Sequence, residues 1–258
     1  MTGASDASGW GASGSGASGS GASGSGASGS PSVGQAWERR ARAWAAWART
    51  PGHDVFFERL NWPAFAALLP APGRPTPDVG CGEGRVGRLL AAAGHRVVAI
   101  DSSPTLVELA VSAGGYERVV CGSAAAMPFP DAFADLAVAF MSLHDMDEPT
   151  AAIGEIGRVL EPGGVLCVAI VHPLNRPSEA LEDYFAHQRV AETVERDGLA
   201  MTFEAIDRPL EAYTAALARA GFVIEVLREP RAVDVAADSP LAPAACRPFF
   251  LHMHCRRG

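Results

Sequence analysis

From about residue 76 onward, short continuous apolar runs alternate with stretches whose apolar positions recur every three or four residues. The runs predict strands buried on both faces, and the periodic stretches predict helices with one buried stripe. Thr76–Gly80 predicts a first strand. Val86, Leu89, Leu90 and Ala93 form a helical stripe, with Gly94 where a helix-terminating glycine belongs. Arg96–Asp101 predicts a second strand. Ser103-Pro104 supplies an N-cap and a proline at the first helical position, opening a helix to about Ser112. Strands follow at Arg118–Gly122 and Ala134–Phe140. Ile153, Ile156 and Leu160 mark a helix that stops before Pro162-Gly163-Gly164, and Val165–Val171 is a fully apolar strand. Leu210, Tyr213 and Leu217 stripe a helix closed by Gly221. Phe222–Glu229 and Phe249–Cys255 predict the last two strands.

Ahead of this alternation, Trp37, Ala41, Trp44 and Trp47 give one aromatic face to a helix over Gln35–Arg49, ended by Pro51-Gly52. A second helix is expected over Asp54–Leu69, stopped by Pro70 and Pro72. Strands alternating with helices imply an α/β domain with a parallel sheet covered on both faces. Ligands of such sheets bind beyond the carboxyl ends of the strands, at the switch point beside the first strand. Residues 172–207 break the alternation. They hold Glu179, Glu182, Tyr184, Phe185 and a polar stretch expected to be helical, and read as a lid or substrate insertion, or as a solvated excursion.

Composition changes the domain count. The 258 residues begin with repeated Gly-Ala-Ser-Gly-Ser units, expected to form a disordered tail over 1–33. The remaining 225 residues, 34–258, suffice for one domain. All 21 basic residues are arginine, which excludes lysine Schiff-base, lysine-nucleophile and lysine P-loop chemistry. A net charge of −8 and the lack of a basic run argue against nucleic acid as partner. The cluster Arg39, Arg40, Arg42 and Arg49 reads as a solvated helix face. Five scattered cysteines make no disulfide framework, and no apolar run is long enough to cross a membrane. The N-terminus lacks the charged and apolar regions of a secretory signal, so a cytoplasmic protein is expected.

Candidate chemistry concentrates in Asp78-Val79-Gly80-Cys81-Gly82-Glu83-Gly84, between the first strand and its helix. Such glycines permit a tight turn and close approach of a ligand to the main chain, beside the positive end of the next helix. The second strand ends in Asp101, placed to accept hydrogen bonds from two ribose hydroxyls. The pattern alone is ambiguous, because Gly82-Glu83-Gly84-Arg85-Val86-Gly87 also satisfies the dinucleotide fingerprint, with an acid 19 residues after Gly82.

Three further stretches accompany the loop: Val97–Asp101, Ala126–Asp131 continuing through Phe133-Ala134-Asp135-Leu136, and Arg158–Gly164. In this order and spacing the sequence resembles the class I S-adenosylmethionine-dependent methyltransferases, closest to the small-molecule type that includes quinone-biosynthesis enzymes. The resemblance covers roughly residues 36–255. It implies a Rossmann-like, doubly wound seven-stranded sheet whose last strand is antiparallel, with S-adenosyl-L-methionine as cofactor. By position, Gly80, Cys81, Gly82 and Gly84 would wrap the methionine part, and Asp78 would orient that loop or the cofactor ammonium. Asp101 would hold the ribose, Ser102 would lie beside the adenine, and Ser123 and Ala124 would border it. The family often carries Asp where Ser123 stands, and serine replaces that contact only in part. Phe140 and Met141 would floor the site near the sulfonium.

Methyl transfer from a sulfonium needs proximity and alignment more than it needs a base. His144, with Asp145 to orient it, and His172 follow the fourth and fifth strands and are the candidate general bases or pocket residues. His252, His254 and Cys255 alternate across a strand and are not expected to bind metal. Trp44, Trp47, His53, Phe56 and Phe57 are candidates to cover the cofactor, and Arg42 or Arg49 to meet its carboxylate. The expected activity is methyl transfer to a small-molecule acceptor. A non-catalytic cofactor- or partner-binding protein of the same fold and a nicotinamide-dependent oxidoreductase are the alternatives.

Overall fold

The computed structural model describes residues 32–176 and 181–258. The chain enters through helix α1 (Val33–Arg49), capped by Ser32 and Gln35, which accept each other's backbone N–H groups. Ser32 and Val33, expected in the tail, therefore belong to the start of this helix. The rest of the tail, residues 1–31, and Glu179 within residues 177–180 lie outside the described residues. The expected second helix is interrupted. A π-helical turn at Phe57–Asn61 runs into the short α2 (Trp62–Ala66).

There follow β1 (Thr76–Val79), α3 (Arg85–Ala92), β2 (Val97–Asp101), α4 (Pro104–Ala113), β3 (Arg118–Cys121), β4 (Ala134–Phe140), α5 (Pro149–Val159) and β5 (Leu160–Val171). An antiparallel hairpin, β6 (Gln188–Arg196) and β7 (Leu199–Asp207), occupies the region that broke the alternation. The stretch expected to be helical is thus two strands. Arg189–Arg196 place side chains alternately on two faces, and Asp197-Gly198 close the hairpin with positive φ at both residues, 50° and 77°. Helix α6 (Leu210–Arg219), β8 (Phe222–Arg228) and β9 (Phe250–Arg257) complete the chain.

The main sheet has the order β3-β2-β1-β4-β5-β9-β8. β1 to β5 pair in parallel, and β9 lies antiparallel between β5 and β8, with Val165 opposite Arg256 and Val171 opposite Phe250. Alternate residues of each central strand serve opposite layers. Ile100, Val168, Ile170, Leu251 and Met253 pack with Ile153 and Ile156 of α5 and Leu217 of α6. Val97, Cys167 and Ala169 pack on the other face with Phe65, Val86 and Leu90. Burying one such large aliphatic or aromatic side chain stabilises by about 1.5–3 kcal/mol. β1 and β4 separate the two windings, so their carboxyl ends open a crevice.

Candidate active site

The crevice is a cavity of about 350 Å3. Its floor comes from the ends of β1, β2 and β4, and α1, residues 53–61 and the hairpin close over it. Gly80 turns the chain out of β1 at φ +75°, while its N–H donates to Ile100 O at 2.8 Å. A Cβ on Gly80 would stand 2.5 Å from Ser142 Cβ, and the Ser142 hydroxyl donates to Val79 O at 2.6 Å. The loop is therefore held from the end of β4. Met141, between β4 and Ser142, adopts φ +54° without being glycine, a conformation that persists only where its surroundings fix it. Its N–H donates to Ala169 O at 2.7 Å.

Asp101 ends β2 on the cavity wall. Its Oδ2 accepts the Gly82 N–H at 2.8 Å and its Oδ1 accepts the Ser103 N–H at 2.9 Å. A carboxylate has about four acceptor sites, so acceptor capacity remains for a ligand. Burial pushes the Asp101 carboxyl up from its ordinary value, and those backbone donors oppose the shift. Asp78 is 1% exposed, accepts the Tyr116 hydroxyl at 2.9 Å, and is driven by burial to about 7. Burial likewise raises the Cys81 thiol well above its usual range, which makes it a wall and not a nucleophile.

Residues 77–168 match the family model described as a methyltransferase domain. The sequence is 31% identical over 128 residues to malonyl-acyl-carrier-protein O-methyltransferase of Pectobacterium atrosepticum, covering 48% of this chain and 51% of that one. Over 112 residues it is 35% identical to demethylmenaquinone methyltransferase of Renibacterium salmoninarum, covering 43% and 47%. Residues 77–168 are thus similar to a methyltransferase domain. It spans about half the length of the curated relatives it matches. At the level of fold, a methyltransferase from Mesorhizobium loti superposes with a TM-score of 0.60 at 24% identity, over 76% of this chain and 97% of that one. The cyclase SpnF superposes with 0.61 at 21% identity, over 88% and 97%. The antiparallel β9 is the strand whose absence the nicotinamide alternative preferred.

Within this domain, Asp78, Gly80, Cys81, Gly82, Asp101, Ser102, Ser123, Ala124, Phe140 and His144 all line the cavity. Gly84 and His172 do not. Gly84 caps α3, where a Cβ would press within 3.1 Å of Ala110 and Tyr116. His172 is tied up outside, its Nδ1 accepting the Leu174 N–H at 3.0 Å and its Nε2 facing Glu229 at 2.9 Å. Neither Arg42 nor Arg49 reaches the cavity wall. Arg49 and Arg88 instead clamp the Glu83 carboxylate, whose side chain is fully buried, at 2.7 and 3.0 Å.

The cavity cations are Arg85 and Arg196. Arg85 sits at the first position of α3, pairs with Asp54 at 2.7 Å, and lies 3.7 Å over the Phe57 ring. A cation at a helix N-terminus opposes the helix dipole, a signal in the sequence that went unused. Trp44, Trp47, His53, Phe56 and Phe57 line the cavity, joined by Trp37, Phe203 and Phe250. Trp37, Trp44, Phe203 and Trp47 meet edge to face, with centroids 5.9–6.2 Å apart. Phe203, Val194 and Arg196 come from the hairpin and have no neighbour in sequence that marks them as cavity residues. Glu204, also of the hairpin and on the wall, is gripped by Arg40 of α1 and Arg189 of β6.

Among the described residues no cluster of three metal-ligating side chains occurs. His252 bonds Asn61 Oδ1 at 2.7 Å in the core, and His254 faces Glu225. No helix of the described residues is long and apolar enough to cross a membrane.

Proposed function

We propose that the protein transfers the methyl group of S-adenosyl-L-methionine to a small, flat, uncharged organic acceptor in the cytoplasm. One observation carries this: Asp101, the Gly80–Gly82 loop and an aromatic wall share a single cavity. The free acceptor sites of Asp101 suit the two ribose hydroxyls. The Gly80-Cys81-Gly82 backbone lies against the methionine part, with Asp78 and Tyr116 bracing the loop beneath it. Ser102, Ser123 and Ala124 border the adenine, although the Ser123 hydroxyl is already engaged by the Ala125 N–H at 3.1 Å. Arg85 has donors beyond the one given to Asp54, and takes the cofactor carboxylate in place of Arg42 or Arg49. When bound, the cofactor supplies an activated methyl on a positively charged sulfur.

The acceptor class follows from the aromatic lining. Trp37, Trp44, Trp47 and Phe203 meet edge to face on the wall, where a flat neutral molecule finds ring edges and faces. The relatives named for malonyl-acyl-carrier protein and demethylmenaquinone agree with a non-nucleic-acid acceptor. Isothermal titration with S-adenosylmethionine, S-adenosylhomocysteine and NADH tests the cofactor. Binding of the first two and not the third is expected. Binding of NADH alone, or of none, overturns the proposal. Transfer of labelled methyl to extract components then identifies the acceptor.

A further inference from the structure

The carboxyl groups on the cavity wall are not equivalent. Asp54 has Arg85, Glu204 has Arg40 and Arg189, and Glu83 has Arg49 and Arg88. Asp147 accepts the Val33 N–H at the start of α1, Glu148 is exposed at the N-cap of α5, and Asp78 and Asp101 hold Tyr116 and backbone donors. Asp145 differs. Its side chain is 18% exposed and lies on the wall, and its ion-pair contact among the described residues is the imidazole of His144, Nε2 to Oδ1 at 3.5 Å. That imidazole is buried, and its Nδ1 has no hydrogen-bond partner.

Arg208, between β7 and α6, is buried and donates to the carbonyls of His144, Met146 and Asp147, and its charge opposes the upward shift of Asp145 and adds to the downward shift of His144. Asp101 from the end of β2 also raises Asp145, and Tyr213 from α6 feels the Asp145 charge. Burial moves Asp145 well up and His144 down to about 3, so both favour their uncharged forms in the absence of a ligand.

We propose that Asp145 is the proton acceptor of the methyl-transfer site, with His144 as its positioning residue, and that its proton affinity follows the charge of the bound cofactor. This rests on the function proposed above. A cation placed in a cavity of low dielectric favours an ionised carboxyl on its wall, so Asp145 loses its proton when the charged cofactor binds. During transfer the carbon–sulfur bond breaks with its electron pair left on sulfur. For a hydroxyl acceptor, a bond from its oxygen to the methyl carbon forms, and the hydroxyl proton passes to the Asp145 carboxylate. Charge balances: a sulfonium, a carboxylate and a hydroxyl become a thioether, a carboxylic acid and an ether. The positive charge that enters with the methyl thus remains as a proton. Asp145 becomes a stronger base as the sulfonium is consumed, which favours the forward direction.

The test needs no acceptor. Calorimetric titration of the full chain in buffers of different ionisation enthalpy counts protons released on binding. Across about pH 5 to 8, S-adenosylmethionine is expected to release up to about one proton more than S-adenosylhomocysteine, which lacks the sulfonium charge, and Asp145→Asn to erase that difference while both ligands still bind. Asp145→Glu is expected to restore it, and His144→Gln to shift the pH at which it peaks. Equal proton release by the two ligands overturns the proposal, as does a difference that survives in Asp145→Asn. If Asp145→Asn does not fold, the two-ligand comparison on the unaltered protein together with Asp145→Glu decides it. Failure of either ligand to bind the unaltered protein refutes the cofactor assignment instead.

Discussion

Gly80→Ala should separate two costs that coincide at the mouth of the cavity. Gly80 has φ +75°, and an added Cβ meets Ser142 Cβ at 2.5 Å. Gly163, in the turn that opens β5, has φ +79° with nothing within 4 Å of its would-be Cβ. Gly163→Ala therefore measures backbone strain alone, about 1–2 kcal/mol. Gly80→Ala adds a steric overlap of about 1–3 kcal/mol and displaces a hydrogen bond, Ser142 to Val79, worth about 0.5–1.5 kcal/mol. The expected totals are about 1–2 kcal/mol for Gly163→Ala and about 3–6 kcal/mol for Gly80→Ala. In a domain of this size each kcal/mol lowers the melting temperature by about 2–4 °C. Thermal unfolding should thus show a loss of roughly 2–8 °C against roughly 6–24 °C, with cofactor affinity falling only in Gly80→Ala. Equal losses in the two variants would refute the claim that the Gly80 loop is wedged against β4.

Other consequences can be checked in parallel. Asp101→Ala should weaken S-adenosylmethionine binding at least about tenfold by calorimetry, with an unchanged far-ultraviolet spectrum, since the lost contacts are charge-assisted. His252 is held near 4 by burial and His144 near 3, below the ordinary value of 6.5. Each takes up a proton only on unfolding between its folded and ordinary values, so stability falls as pH drops below 6.5, by up to about 1.4 kcal/mol per unit per histidine. Denaturant titrations of His252→Gln should show a shallower fall. Asp78 works with the opposite sign. Its folded value of about 7 lies above 3.8, so its contribution is lost as pH rises from 3.8 through 7, and Asp78→Asn should gain stability relative to the unaltered protein at pH 8. Glu204→Gln should loosen the hairpin from α1, read as faster tryptic cleavage at Arg189 and Arg196.

What could be read in advance was what local chemistry dictates. The apolar runs of β2, β4 and β5 are buried on both faces, and their order followed from that, but β5 begins at Leu160 rather than at the expected Val165, because Leu160 pairs with Ala134 ahead of the Pro162-Gly163-Gly164 irregularity. The Ser103-Pro104 opening of α4 and the Gly221 stop after α6 are local backbone preferences, and both hold. The hairpin carries no clean period of either kind, since its two strands mix polar and apolar residues, and Asp197-Gly198 is the one local turn signal that separates them. Cavity residues beside the glycine loop were legible, since a ligand there must touch consecutive main-chain groups. Phe203, Arg196 and Phe250 were not, because they arrive from strands far along the chain. Arg49 illustrates the limit of guessing partners by charge: a buried carboxylate, Glu83, claims it.

The insertion of β9 between β5 and β8 has a consequence for synthesis. β5 is complete at residue 171 and β9 at residue 257. A ribosome adding about 5–20 residues per second takes roughly 4–17 s over that interval. Throughout it the nascent chain presents the unpaired edge of β5, whose residues Leu166–Ile170 belong wholly to the interior. An exposed apolar edge is a template for pairing with another chain. Each molecule therefore passes through a stage in which a neighbouring nascent chain or a holding chaperone competes with its own last strand. Expression yield should then respond to codon speed and chaperone supply over residues 172–257.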